Sequence, residues 1–178
     1  MKGLDSLLRK LDALGGEQLK QRALKEGVAQ AAAQVQGDAK MLCPVNDGQL
    51  RNSIQTKTHV ERDKVVGVVS TNVEHAPYVE FGTGPVGQAS ATDLPPEIAG
   101  SIHYKQDGWW IHESQIDSAT AEKYRFFKLE TKNGVFYYTE GQPAQPFLYP
   151  AIRRNEDEVR RIIAAKLKDE IVSVVSRG

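Results

Sequence analysis

Leucines at helical spacing begin the chain and predict a short amphipathic helix over residues 4–14. Gly15-Gly16 ends that pattern, and a helix of three turns is unstable alone in water, so it must dock on its own core or on a partner. A second apolar stripe, rich in alanine, predicts a longer helix over residues 17–42, which Pro44 ends. The apolar positions of the two helices are Leu4, Leu7, Leu8, Leu11, Leu14, Leu24, Val28, Ala31, Val35, Ala39 and Leu42.

The period of the pattern then changes from helical to alternating. Residues 50–57 alternate in side-chain character and predict a strand. A charged loop at residues 61–64 and a valine-rich strand over residues 64–71 complete an antiparallel hairpin. Gly67, inside the second strand, indicates a bulge or a close approach of another backbone. A short helical turn is expected at residues 76–80.

The periodicity disappears over residues 85–101, which are rich in Pro, Gly, Ala, Ser and Thr and predict a long loop. Asp107-Gly108 and Asn133-Gly134 are strong two-residue turn signals, so each predicts a β-hairpin. The polar residues 115–122 between them fit either a loop or one helical turn. The predicted strands are residues 102–105 with 109–112, and 124–131 with 135–139.

The C-terminal part predicts an extended segment followed by a helix. Three prolines in residues 141–150 favour extended backbone, and Phe147 is expected to place its ring in the core. The last helix is expected to begin at residues 149–151, because proline is tolerated in a first turn. Its apolar stripe is Ile152, Val159, Ile163, Lys166 or Leu167, Ile171 and Val174. Its arginines, Arg153, Arg154, Arg160 and Arg161, form either a solvated face or a contact with an acidic neighbour.

These elements predict an α+β fold, with a mainly antiparallel sheet packed by long N-terminal and C-terminal helices and with an inserted pair of β-hairpins. We expect one domain over residues 1–178, large enough to bury a core. Residues 1–16 form its docking helix, and residues 85–144 form the inserted loop and hairpins.

Composition narrows the class of protein further. The 23 basic and 23 acidic residues balance, so net charge does not drive binding to nucleic acid or to anionic membrane. Cys43 is the lone cysteine, which excludes an intrachain disulfide and fits a reducing cytoplasm. The chain has no run of 18 apolar residues and no signal-peptide core, so we expect a soluble protein that is not exported by itself.

Glu80 is the first candidate for chemistry, because it lies between the large side chains Tyr78, Val79 and Phe81, which favour burial. A buried carboxylate needs a partner, and we hypothesise an ion pair with Arg51. A catalytic role for Glu80 is the alternative, but no second acid, His or Ser stands at a spacing that completes a site.

Other chemical signatures are weak or absent. The sequence contains no nucleotide-binding loop, nucleophile elbow, paired carboxylates or zinc spacing, so we expect no catalytic residue and no cofactor. His103 and His112 are a possible metal pair across the first predicted hairpin, but two histidines without a third ligand make a poor site, and no metal is expected.

Aromatic side chains are concentrated in the inserted region. They fit either packing and a subunit interface, or a stacking platform for single-stranded nucleic acid. The basic residues beside them are offset by nearby acids, which favours the interface. The aromatic residues are Tyr104, Trp109, Trp110, Tyr124, Phe126, Phe127, Phe136, Tyr137 and Tyr138.

Three sequence blocks, in order, resemble a family of tail-component proteins of long-tailed lambdoid-type bacteriophages and prophages, which act in tail completion and head–tail joining. The blocks lie at residues 43–54, 75–84 and 145–151. The long separation between the second and third blocks departs from the family pattern and looks like an insertion. The matching motif residues are Pro44, Gly48, Leu50, Arg51, Ser53, Ile54, Tyr78, Val79, Glu80, Phe81, Gly82, Thr83, Pro146, Phe147, Pro150 and Ala151.

The resemblance implies a non-enzymatic virion protein at the neck of the particle, made in the host cytoplasm. It implies a ring of identical subunits, typically six, that joins the tail tube to the head connector or adaptor. By the same resemblance, DNA passes through the ring without sequence-specific binding, and no membrane is involved. A tail-tube terminator or minor tail protein is the alternative, and a nucleic-acid-binding module is a more distant one. The candidate interface residues are Pro85, Val86, Leu94, Trp109, Trp110, Arg153 and Arg154.

Overall fold

The computed structural model describes residues 2–62, 64–91 and 93–176. Met1 in the predicted docking helix, Asp63 in the predicted charged loop, Thr92 in the predicted long loop and the last two residues of the chain lie outside the described residues. The elements are α1 (Lys2–Leu42), α2 (Gln49–Ser53), β1 (Gln55–Glu61), β2 (Lys64–Ser70), α3 (Ala76–Phe81), α4 (Gly84–Ser90), α5 (Pro96–Ala99), β3 (Trp109–His112), α6 (Ser118–Lys123), β4 (Phe127–Thr131), β5 (Gly134–Thr139), α7 (Leu148–Arg154) and α8 (Glu156–Val175).

The predicted α+β class is confirmed, because long helices at both ends of the chain accompany antiparallel sheets. The strands form two separate sheets, β1-β2 and β3-β5-β4, where the sequence suggested one. The chain divides into two compact units. Residues Met1–Glu74 and Pro146–Gly178 form the larger unit, and His75–Gln145 form the smaller unit.

The leucine-rich start of α1 docks on its own chain. Leu11, Ala23 and Leu167 are buried at the centre of a cluster that joins α1 to α8. Gly27 allows the two helices to approach closely, since a Cβ there would lie 3.3 Å from the Cα of Ile163. The partly buried residues around this cluster are Leu4, Leu7, Leu8, Leu19, Leu24, Ile163 and Ile171.

The predicted break between the two N-terminal helical segments is confirmed as a kink. Gly16 adopts φ 69° and ψ −171° inside α1, a backbone conformation that is strongly disfavoured for residues other than glycine. The helical segments on either side of Gly16 therefore keep their own directions while the chain stays continuous.

The first hairpin forms as predicted, but its first strand begins later. β1 pairs with β2 from Gln55 opposite Ser70 to Glu61 opposite Lys64. α1 packs on both strands, and Gly67 is the site of close approach, because a Cβ there would lie 2.9 Å from Val28 Cγ1.

Residues 50–53 are helical, so the predicted strand over residues 50–57 is wrong in its first half. Gly48, at φ 82°, is the N-cap directly before α2, and the Asp47 carboxylate accepts a hydrogen bond from the Gln49 N–H at 2.9 Å. Leu50 and Ile54 are both buried, and their spacing of four fits one face of a helical turn as well as alternation.

The last helix is interrupted at Asn155, where a continuous stripe was predicted. The buried Asn155 side chain donates to Asp38 Oδ2 at 2.6 Å and to the Ala151 carbonyl at 2.8 Å, which separates α7 from α8. Ile152 is 54% exposed, so its place in the predicted apolar stripe is wrong. Phe147, just before α7, is fully buried, as predicted.

The smaller unit contains the sheet β3-β5-β4, and its first predicted hairpin is wrong. Residues 102–105 form no strand, and β3 pairs with β5 instead. Tyr104 turns toward α3 and donates its hydroxyl to the Phe81 carbonyl at 2.9 Å, so this segment packs against another part of the unit. A turn signal defines a change of direction, but it does not define which strand becomes the partner.

The second predicted hairpin is confirmed, but its first strand begins at Phe127 and not at residue 124, and its turn is shifted by one residue. Thr131 and Gly134 are opposite each other, so Lys132 and Asn133 form the turn. Gly134 has φ 115°, a backbone conformation that favours glycine directly after the turn.

Residues 85–101 contain α4 and α5, so the prediction of a long loop is wrong. Pro85 and Pro96 lie in the first turns of these helices, where a missing N–H costs nothing. Residues 118–123 form α6, which confirms the helical alternative for the polar segment. Asp117 caps α6 by accepting the Thr120 N–H at 2.8 Å.

Candidate functional site

The family-motif segment of the smaller unit is a short helix that buries its acid. α3 carries Glu80, which is 5% exposed, and Val79 and Phe81, which are partly buried. Tyr78 is 58% exposed, so its predicted burial is wrong. A six-residue helix has a separate direction for each of these neighbouring side chains, and Tyr78 points to solvent.

Glycines after α3 allow two backbone segments to touch. Gly82 has φ 72°, and a Cβ there would lie 2.6 Å from Gly87 Cα and 2.7 Å from Ala144 N. The Thr83 N–H donates to the Gln142 carbonyl at 3.0 Å, and the Gln145 N–H donates to the Val79 carbonyl at 2.8 Å. The Gly-Thr-Gly sequence at residues 82–84 therefore holds the chain against the segment that leaves the unit.

Further contacts reinforce this backbone junction. The Thr83 hydroxyl accepts from the Gln142 N–H at 3.1 Å, and the Ser90 hydroxyl accepts from the Ala144 N–H at 2.8 Å. Gly141 lies directly against the Thr83 carbonyl with φ 105°, where no side chain fits. The arrangement is structural, because its polar groups are used in bonds between backbone segments.

The ion pair between Glu80 and Arg51 stays a prediction. Arg51 lies in α2 of the larger unit with an exposed side chain, and Glu80 lies in α3 of the smaller unit. The burial of Glu80 makes its carboxylate sensitive to the loss of any partner.

The sheet of the smaller unit has one face covered by large apolar and aromatic side chains, which we call the aromatic face. Its six residues form two rows across the strands because side chains two apart share a face and paired residues lie side by side. The rows are Trp110–Tyr138–Phe127 and His112–Phe136–Leu129.

Ring contacts hold these rows together while leaving them open to solvent. The ring of Trp110 lies 5.2 Å from that of Tyr138 and 6.1 Å from that of Phe127, and the rings of His112 and Phe136 are 5.0 Å apart. Trp110 is 45% exposed and Phe127 is 65% exposed. Such a contiguous apolar surface is typical of an interaction site.

The opposite face of the same sheet packs inward. Tyr137 and Thr139 are buried there, and Lys105 places its ammonium 5.2 Å from the centre of the Trp109 ring. At the outer edge of this face, Lys128 Nζ lies 2.6 Å from Glu130 Oε1. Their hydrogen bond raises the pKa of Lys128 and lowers the pKa of Glu130, so both groups stay charged near neutral pH.

The predicted interface residues lie in different places. Trp110 belongs to the aromatic face, and Val86 in α4 is 37% exposed. Arg153 in α7 is paired with Glu156 at 2.9 Å. The remaining members are Pro85, Leu94 and Trp109, which are half-buried, and Arg154, which is exposed.

Acids on the same helix offset the arginines of α8. Arg160 lies 3.1 Å from Asp157, and Arg161 lies 3.1 Å from Glu158. These exposed pairs are typical of a solvated helix surface, where each contributes little to stability.

The motif residues divide between the two units. Leu50, Ile54, Phe147 and Ala151 are buried in the larger unit. Of the other motif residues there, Pro44, Gly48, Arg51 and Ser53 lie in or before α2, and Pro146 and Pro150 lie in or before α7. Those of the smaller unit are Tyr78, Val79, Glu80 and Phe81 in α3, and Gly82 and Thr83 directly after it.

Sequence reasoning named Phe127 among the inserted aromatic residues without choosing it as an interface candidate, and it missed Leu129. Their spacing of two beside the Asn133-Gly134 turn signal places them on one face of a strand, but only the register with β5 aligns them with Tyr138 and Phe136. The missing information was the pairing of β3 with β5, which adds Trp110 to the same row.

His103 and His112, the possible metal pair considered from the sequence, have different surroundings. His112 contacts the Ser114 hydroxyl at 2.8 Å and the Asn133 carbonyl at 3.3 Å, and His103 is exposed. Among the described residues, no group of three or more His, Cys, Asp or Glu could hold a metal ion. Over the same residues, no helix has the length and apolar character needed to cross a membrane.

Comparison with known families gives a match over the N-terminal part of the chain. Residues 5–82 match the model of the family described as "Bacteriophage HK97-gp10, putative tail-component". Searches of curated proteins and of solved structures found no match.

The match supports a structural component of a bacteriophage tail, and with it a place in the virion and contacts with other virion proteins. The recognition of a phage tail-component family from sequence blocks is confirmed over residues 5–82. This range includes the first block and most of the second, and it ends before the aromatic face.

Proposed function

We propose that the protein is a ring-forming subunit of the head–tail junction, which completes the tail and joins the tail tube to the head connector or adaptor. The observation that carries this proposal is the match of residues 5–82 to a phage tail-component family. The subunits form a closed ring, of six copies by the family resemblance, and DNA passes through the ring without being read in sequence. The role is mechanical, and no residue is assigned to catalysis.

A closed ring needs two different surfaces on each subunit that fit one another. Exposed apolar residues supply candidates on both units, including Met41 at 78% and Val45 at 56% exposure near the end of α1. In the smaller unit, the aromatic face supplies another candidate, since aromatic side chains are enriched at subunit interfaces. The net charge of zero leaves no long-range repulsion between copies.

The decisive experiment is removal of the gene from the phage or prophage that encodes this chain, followed by electron microscopy of the particles. We expect DNA-filled heads and separate tails, with joined particles restored when the wild-type chain is supplied from a plasmid. A complementing variant with Trp110→Asp tests the aromatic face, and Lys57→Glu is a matched surface control.

Two outcomes would contradict the proposal. Joined and infectious particles without this chain would remove any role at the junction. Tails of abnormal length would indicate the alternative function, a tail-tube terminator, because the tube would then polymerise beyond its normal end. Labelling of the chain within intact particles gives its position along the head–tail axis.

A further inference from the structure

β4 forms an exposed edge of the sheet in the smaller unit. Within the described residues, β4 pairs with β5 on one side only, and each of its five residues is exposed. An edge strand carries unpaired N–H and C=O groups on its free side, which another strand can complete.

The charges along β4 are arranged to complement a second copy of the same strand. Lys128 and Glu130 flank Leu129 with opposite signs, and within one chain they pair with each other at 2.6 Å, a contact that pairing with a second copy exchanges for one between subunits. In an antiparallel pair centred on Leu129, Lys128 stands opposite Glu130 of the partner subunit, and the two-fold axis repeats this contact.

We propose that β4 pairs in antiparallel orientation with β4 of a second copy of this chain, about a two-fold axis through Leu129. The two sheets then form one six-stranded sheet in the order β3-β5-β4-β4-β5-β3. The contact differs in kind from a ring contact, because an isologous contact closes at two copies and uses one surface of each subunit.

In this register, the aromatic faces of the two copies lie on the same side of the joined sheet. Residues directly opposite each other in an antiparallel pair share a face, so Leu129 meets Leu129 of the partner subunit, and Phe127 meets Thr131 of the partner subunit. The two aromatic faces then continue on one side of the sheet, and the exposed side chains of Phe127 and Leu129 become partly covered.

Neighbouring registers are disfavoured by charge or by side-chain direction. A two-residue shift places Lys128 opposite Lys128 of the partner subunit or Glu130 opposite Glu130 of the partner subunit, and like charges in direct opposition repel. A shift of one residue joins the aromatic face of one copy to the charged face of the other. The register centred on Leu129 places opposite charges against each other and keeps the two aromatic faces on the same side of the sheet.

Charge exchange tests the pairing with the full-length chain. Sedimentation velocity over a concentration series should show a monomer–dimer equilibrium for the wild-type chain. Lys128→Glu and Glu130→Lys should each weaken the dimer about ten-fold, because every charge contact is repeated by symmetry. The double variant Lys128→Glu/Glu130→Lys should restore it, and Lys57→Glu on the other sheet should leave it unchanged.

Cysteine substitution tests the register directly. Opposed residues of antiparallel strands have Cα atoms about 4.5–5.5 Å apart, within the range of a disulfide. Leu129→Cys should therefore cross-link two copies under mild oxidation. Thr131→Cys should not, because four residues of strand, about 13 Å, separate it from Thr131 of the partner subunit. The wild-type chain, with Cys43 buried, gives the baseline.

A chain that stays monomeric at every concentration would overturn the proposal, and so would a dimer that the charge variants leave unchanged. A dimer whose Leu129→Cys variant cross-links no faster than the Thr131→Cys variant would overturn the register. Circular dichroism of each variant confirms that the sheet is still folded. None of these outcomes depends on whether the chain joins heads to tails, so failure here is distinct from failure of the proposed function.

Discussion

The larger and smaller units use their apolar side chains in opposite ways. In the larger unit, Leu11, Phe147 and Leu167 are fully buried, and the ends of the chain meet in one helical core. In the smaller unit, Trp110 and Phe127 lie exposed on one face of a three-stranded sheet. These apolar residues of the larger unit therefore stabilise its core, whereas Trp110 and Phe127 of the smaller unit remain accessible on the aromatic face.

Family resemblance follows the same division. The match over residues 5–82 includes α1, α2 and the β1-β2 hairpin of the larger unit, and only the first turns of the smaller unit. The aromatic face lies outside the matched range.

The largest expected change in stability comes from a comparison of one buried and one exposed phenylalanine. Phe147→Ala should lower the free energy of unfolding by about 3–5 kcal/mol, because it leaves a cavity where a fully buried ring was packed. Phe127→Ala, the matched control on the aromatic face, should lower it by less than about 1 kcal/mol, since the side chain is 65% exposed. Urea denaturation measures both, and equal losses would contradict the division between core and surface.

Loss of the buried acid should have the next largest effect. Glu80→Ala should lower the free energy of unfolding by about 3 kcal/mol, because it removes a buried carboxylate and leaves its partner uncompensated. Thermal unfolding followed by circular dichroism measures the loss, and an unchanged melting temperature would count against a structural role.

Arg51 can be tested as the partner in the same series. If the ion pair forms, Arg51→Ala and the double variant should show a coupling free energy of about 1 kcal/mol or more. If the losses of stability in the two single variants simply add in the double variant, Glu80 and Arg51 do not interact. Glu80 would still be a structural residue in that case.

Two glycines give a smaller contrast. Gly82→Ala should cost about 2 kcal/mol, because φ 72° with ψ −174° is accessible to glycine alone and a Cβ would collide with Gly87. Gly37→Ala is the matched control, because Gly37 is in α1 and has open space around it, and it should stabilise the protein by about 0.5–1 kcal/mol. In chemical denaturation, the free energy of unfolding should fall for Gly82→Ala and rise for Gly37→Ala.

Local sequence signals were sufficient where an element is stabilised by its own neighbours. The helical stripes predicted the helical residues of α1 and α8, and the Asn133-Gly134 signal predicted the β4-β5 hairpin. Gly15-Gly16 predicted the end of a helix, which the structure shows as the kink at Gly16. Each signal acts within a few residues, and the structure preserves it.

Signals failed where the outcome depends on residues distant in sequence. The pairing of β3 with β5 brings Trp110 beside Tyr138, which no turn signal specifies. The break at Asn155 depends on Asp38, over a hundred residues earlier, because the buried amide needs that carboxylate. Which side chains share the aromatic face depends on the strand order, so this set of residues could not be predicted from the sequence alone.

The smallest expected effect concerns an exposed ion pair in the larger unit. Glu26 lies 2.8 Å from Lys166, and this hydrogen bond lowers the pKa of Glu26 from its ordinary value of 4.5. A carboxylate with a lowered pKa in the folded state adds stability above that ordinary value and loses it as pH falls through the folded value. Glu26→Gln should therefore cost less than about 1 kcal/mol at neutral pH, since the pair is partly exposed and screened by solvent. The difference from wild type should shrink below pH 4.5 in acid titrations of stability, and a difference that grew in acid would contradict the assignment.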